Sequence, residues 1–173
     1  MTWLQSVATL VCAAGLAVFY YLMELHPQSP KKIPTEGKEF RMPDSRFHYT
    51  PDALYGLLDQ AGDHLPRLRR YWLLDFGLIV CFWGVMIAIG LNVAGRGTAL
   101  FLPMGILATA RALLDIAENL LLLRLCRRYP QRGDRLAALA GLATAAKFVC
   151  LYAWVALLFV KLFAAAFGIV GLS

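Results

Sequence analysis

The sequence predicts an all-α integral membrane protein: a four-helix bundle with a short amphipathic helix on the cytoplasmic side between spans one and two. Three observations predict it. Of 173 residues, 60% are hydrophobic and only 16% charged, against roughly 45–50% apolar and about 25% charged in soluble domains. Four apolar runs, at about 3–22, 71–93, 99–123 and 136–160, each match the ~20 residues that cross a ~30 Å hydrocarbon layer. What remains is the segment 24–70, two short connections and a tail, so 1–173 reads as a single membrane domain. This balance excludes a soluble enzyme, a disordered chain and a DNA-binding module.

Span one, from Trp3 to Leu22, has no basic residue before it and no small-x-small cleavage site before Glu24, so it reads as an uncleaved span. His26 to Asp44 is rich in Pro and Lys without a hydrophobic period and reads as an irregular loop. A helix then begins, at about 51–62. Thr50 caps it, Pro51 takes the first helical position, and Asp52 suits the positive end of the dipole. Leu54, Leu57, Leu58, Ala61 and Leu65 form one apolar stripe, which places the helix on the inner membrane surface or over the mouth of the bundle. Gly62 ends it, and Asp63 is expected to cap the helix leading into span two. The tail after Leu162 is too short to cross again and reads as an outer extension of span four.

The net charge of +6 is distributed unevenly. Lys31, Lys32, Lys38, Arg41, Arg46, Arg67, Arg69 and Arg70 lie between the first two spans, and Arg124, Arg127, Arg128, Arg132 and Arg135 at the last connection; the middle one has Arg96 alone. The positive-inside rule then places both termini outside and both basic segments in the cytoplasm, in what reads as a bacterial inner membrane. The arginines suit anionic lipid head groups; no nucleic-acid partner is expected. Aromatic residues mark the span limits, Trp3 and Phe101 outside, and Tyr20, Tyr21, Tyr71, Trp72 and Tyr129 inside.

Cys12, Cys81, Cys126 and Cys150 show no CxxC spacing, and His26, His48 and His64 read as surface residues. Neither a metal site nor a cofactor is identifiable. Cys126 beside Arg127 and Arg128 suits an unmodified small residue better than a palmitoylation site. Ala137, Gly141 and Ala145 on span four, with Gly77 and Gly84 on span two, form small-residue faces for close packing within the chain or in a homo-oligomer.

Five ionisable residues interrupt the spans: Asp75, Arg111, Asp115, Glu118 and Lys147. Left alone, each costs about 2.5–3.5 kcal/mol at mid-membrane. They are therefore expected to face inward and meet. Arg111, Asp115, Glu118 and Asn119 stand at i, i+4, i+7 and i+8, one face of a helix. Counting at ~1.5 Å per residue sets Asp75 level with Glu118 and Asn119, and Lys147 between Asp115 and Arg111. Three acids against two bases leave one carboxylate without a full cationic partner. Asp75, Asp115, Glu118 and Lys147 are thus the candidate catalytic or proton-carrying groups, and Arg111 and Asn119 the candidate ligand-binding ones.

Tyr71, Asp75, the Asp115-x-x-Glu118-Asn119 string and Lys147 together resemble uncharacterised four-span bacterial membrane proteins over Tyr49 to Lys147. That resemblance implies a shared plan and no activity. The string Arg111-x-x-x-Asp115-x-x-Glu118-Asn119 is similar to the Arg-x-x-x-Asn-x-x-Glu-Asn signature of the microsomal glutathione transferase (MAPEG) family, small four-span trimers. The similarity implies glutathione contacts from Arg111 and Glu118. Asp115 departs from that signature, and the string lies here in span three where the family carries it in span two.

The composite expectation is a polar, charge-paired chamber open to the cytoplasm, binding a small or amphiphilic ligand as an intramembrane enzyme or transport component. The alternatives are a structural or accessory membrane protein with internal salt bridges, and a glutathione-transferase-like membrane enzyme. No phosphate-cradling loop or nucleophile elbow names an enzyme class.

Overall fold

The computed structural model describes residues 3–33, 42–43, 46–94 and 99–167. Lys38, Arg41 and Arg96, which count towards the expected orientation, lie outside them, as do much of the Pro- and Lys-rich stretch and the tail from 168. The described residues form helices and connecting turns, in the order α1 (Trp3–Tyr20), α2 (Pro51–Ala61), α3 (Leu65–Val93), α4 (Phe101–Arg128) and α5 (Asp134–Ala166), with no strand among them. Among the described residues, three helical stretches are long and apolar enough to cross a membrane: the one that opens with α1, the one that ends with α3, and α5. Helix α4, at 28 residues, has the length too. It differs in carrying Arg111, Asp115 and Glu118 midway.

The four long helices pack in chain order. Helix α1 packs on α3, α3 on α4 and α4 on α5. The glycines explain how α1 and α3 approach so closely: a Cβ at Gly84 would strike Cys12, one at Gly15 would strike Cys81, and one at Gly77 would enter the ring of Phe19. The span-two glycines are therefore used within the chain. Gly141 is too, against backbone rather than another span, since a Cβ there would meet the carbonyl oxygen of Tyr49.

Outward surfaces are apolar. Leu10, Val80, Leu102, Leu113, Leu142 and Phe159 are all exposed, whereas Asp75, Asp115, Glu118, Asn119, Thr144 and Lys147 are buried. A chain in water sorts its side chains the other way.

Helix α2 forms for the expected reasons. Thr50 accepts a hydrogen bond from the Ala53 backbone N–H at 3.3 Å, Pro51 opens the helix, and Gly62 closes it at φ 45°. Its buried face (Leu54, Leu57, Leu58 and Ala61) joins Trp72, Leu122, Leu125 and Ala137 in one apolar cluster across the end of the bundle. Several expectations are corrected here. Asp63 caps nothing; it lies in a 3-10 turn over Gly62–His64, and α3 begins at Leu65 without a side-chain cap. Tyr71 and Trp72 are buried in this cluster rather than standing at a lipid boundary. The stretch after span one is not merely loose loop: Ser29, Ile33 and Met42 are buried, the latter two in the same cluster. Cys126 is buried there as well, as a small core residue.

Candidate functional site

Four of the five charged residues expected to meet are joined by ion pairs, and the fifth, Asp75, is tied to the same helix through Asn119. On α4, Asp115 receives two cations: Arg111 Nη2 at 2.8 Å, one helical turn away, and Lys147 Nζ of α5 at 2.5 Å. The same ammonium lies 2.6 Å from Glu118 Oε2. Arg111 also lies over the ring of Phe82, 4.3 Å from its centroid, a cation–π contact that supports a charge away from water. On the α3 side, Asn119 Nδ2 donates to Asp75 Oδ2 at 2.7 Å. The i, i+4, i+7, i+8 stripe of α4 thus serves two neighbours, Glu118 towards α5 and Asn119 towards α3.

Two residues of this network do not stand out in the sequence. Thr144, three residues before Lys147, donates to Glu118 Oε1 at 2.6 Å, with its own Ala140 carbonyl also in reach at 2.9 Å. A hydroxyl one turn from a lysine inside an apolar helix is the available signal. Tyr49 donates to the same Glu118 oxygen at 3.4 Å; it precedes α2 by one residue of cap, and nothing in the local sequence announces that its phenol reaches a mid-helix carboxylate.

Two adjoining cavities border this network, sharing Asp75, Leu78, Arg111 and Asp115. The larger, about 480 Å³, is otherwise walled by Leu16, Ala17 and Tyr20 of α1 and by Ile79 and Phe82 of α3. The smaller, about 180 Å³, is polar and reaches Lys147, Tyr71, Glu24 and Lys31. Glu24 sits in a π-helical turn over Tyr21–Leu25, where it pairs with Lys31 and lies 3.5 Å from the Tyr71 hydroxyl. The smaller cavity is thus bordered both by the charged network and by the Glu24–Lys31 pair, of which Lys31 is exposed. In the sequence, Lys31 reads only as a topology marker.

Glu118 borders neither cavity, being fully buried behind Thr144, Tyr49 and Lys147. Asn119 is likewise absent from both linings, although its Oδ1 has no hydrogen-bond partner among the described residues; the same holds for Arg111 Nη1. No group of three or more metal-ligating side chains stands together among the described residues.

Beyond the site, Arg132 pairs with Asp52 of α2 and with Asp134, and lies over the ring of Tyr55. Tyr129 donates to Asp59, and the Gly133 backbone N–H to the Tyr55 hydroxyl. These contacts hold α2 to the α4–α5 connection, outside the apolar helical segments. Comparison with protein-family models, curated proteins and solved structures finds no match to this chain.

Proposed function

We propose that the chain is a four-span membrane protein whose charged network forms a ligand site within the bilayer, reached from the cytoplasmic side, with both termini outside. Its lipid-facing side chains are apolar and its buried ones charged, and the basic residues gather at the α2 end. The observation that carries the ligand reading is the convergence of two cavities, one apolar and one polar, on Asp75, Arg111 and Asp115. A salt-bridge network that only fastened helices would be expected to pack its flanks; this one borders space of the size small-molecule sites have, roughly 300–1,000 Å³. Asp75 and Lys147 face that space and are the groups placed to exchange protons with an occupant. Glu118 holds Lys147 from behind.

A structural role is the competing reading, favoured by the way Lys147 satisfies Asp115 and Glu118 together. One pair of variants separates the two. Asp115→Asn and Lys147→Met are purified in mild detergent, and small molecules that co-purify with them and with the native chain are identified by mass spectrometry. The ligand reading expects folded variants that have lost a compound the native protein carries. A native protein carrying nothing, with variants that misfold, leaves the structural role.

A further inference from the structure

We infer that the occupant of this site is a lipophilic organic cation, an aliphatic ammonium whose nitrogen pairs with Asp75 while its apolar body fills the larger cavity. The inference rests on the ligand reading above and adds the chemistry of the occupant. The cluster holds three acids, Asp75, Asp115 and Glu118, against two bases, Arg111 and Lys147. Both bases are engaged: Arg111 pairs with Asp115, and Lys147 with Asp115 and Glu118. One negative charge is left over, and the pairing puts it on Asp75.

Asp75 is only 6% exposed, and Asn119 donates to its Oδ2. Among the described residues no cation lies within salt-bridge distance of it, and its Oδ1 accepts no hydrogen bond. The same side chain borders both cavities. A buried carboxylate held by an amide alone is costly in an apolar layer. A cation entering the cavity supplies the missing partner, and an ammonium N–H donating to the second carboxylate oxygen makes a charge-assisted hydrogen bond, the stronger kind.

The walls decide what kind of cation fits. Leu16, Ala17, Leu78, Ile79 and Phe82 make most of the larger cavity apolar, whereas a hard metal ion needs a shell of oxygen ligands. An alkyl body instead buries its own apolar surface there. Arg111 borders the same space, but with Lys147 it balances Asp115 and Glu118, so Asp75 sets the sign of the charge; the Arg111 Nη1 is enclosed by the protein. An anionic head would enter beside Asp75 with no cation free to neutralise it, and an uncharged head would leave the buried carboxylate uncompensated.

The test uses the full chain in nanodiscs of zwitterionic lipid with three probes of equal chain length: octylammonium, octanol and octanoate. Each is titrated at neutral pH by the shift in thermal midpoint and by native mass spectrometry, with empty nanodiscs as the control for partition into lipid. Octylammonium is expected to bind saturably and at least tenfold more tightly than either analogue. Asp75→Asn, which keeps an acceptor for Asn119 and removes the charge, is expected to erase that preference. Ala17→Phe, which fills the apolar cavity from α1 without touching the charged groups, is expected to abolish binding. If Asp75→Asn does not fold, the probe ranking and Ala17→Phe decide. Octanol or octanoate binding as tightly as octylammonium, and lost in Ala17→Phe, overturns the cation inference while leaving the ligand site standing. A preference that survives Asp75→Asn, or octylammonium binding that survives Ala17→Phe, overturns the inference as well. Absence of saturable binding by all three overturns both it and the ligand reading.

Discussion

Lys147 Nζ lies 2.5 Å from Asp115 Oδ1, joining the third and fourth long helices at mid-length. The same ammonium holds Glu118, so removing it strands buried Glu118 and leaves Asp115 with Arg111 alone. Breaking a buried pair by deleting one partner costs about 3–5 kcal/mol, because the remaining charge is left uncompensated. Lys147→Met is therefore expected to lower unfolding stability by that order in a denaturant titration in detergent. Adding Glu118→Gln should recover part of the loss by removing the stranded charge. A double variant no more stable than the single one would show that Glu118 does not depend on Lys147.

The glycines give a second prediction, with opposite signs at two positions. A Cβ at Gly141 meets the backbone oxygen of Tyr49, which moves only if the segment before α2 moves. Gly141→Ala is expected to destabilise by about 1–3 kcal/mol, the usual cost of overpacking. Gly56, inside α2, has nothing within 4 Å of where a methyl group would stand. Gly56→Ala is expected to stabilise by ~0.5–1 kcal/mol through helix propensity. Equal effects at the two sites in thermal unfolding would contradict the crowding at Gly141.

The charged network is legible in the sequence because charge inside an apolar run is costly, and helical periodicity then limits where it goes. Arg111, Asp115, Glu118 and Asn119 have to share a face, and the depth count sets Lys147 and Asp75 beside it. What stays hidden depends on tertiary approach. Tyr49 reaches Glu118 only because Gly141 lets its backbone lie against α5. Trp72 has the composition of a boundary residue and the environment of a core one, because α2 and the stretch around Ile33 and Met42 fold over it. The larger cavity is illegible for the same reason: it is defined by where α1 rests on α3, and α1 carries no periodic polar signal. Lys31 and Glu24 read as loop charges until the π-helical turn sets Glu24 beside Tyr71.

The Tyr129 phenol donates to Asp59, and that bond raises its pKa above the ordinary tyrosine value, with burial and the nearby carboxylate charge adding to the effect. Only the protonated phenol makes this contact. Its contribution to holding α2 is therefore fully present below the ordinary tyrosine pKa and lost as pH rises through the higher folded value. A fluorotyrosine at position 129, followed by fluorine NMR, should titrate later than a fluorotyrosine in a free peptide. Asp59→Ala should bring it back towards the peptide value. Superimposable titrations of the native and Asp59→Ala proteins would show that the carboxylate is not its partner.

Orientation supplies the last prediction, and the positive-inside rule determines its sign. The rule counts Lys and Arg in short connections and near span ends rather than net charge, so Arg132 contributes even though Asp52 and Asp134 pair with it. Arg124, Arg127, Arg128 and Arg135 share the same end of the bundle, whereas the sequence before α1 has no basic residue. In a background with the four native cysteines replaced, an impermeant maleimide applied to intact cells is expected to label Thr2→Cys. The same reagent should leave Gln131→Cys unlabelled until the membrane is permeabilised. Gln131 is exposed in the α4–α5 connection, so its protection in intact cells reports the side of the membrane rather than burial. Labelling of Gln131→Cys alone would invert the orientation and place the Glu24–Lys31 pair on the external side.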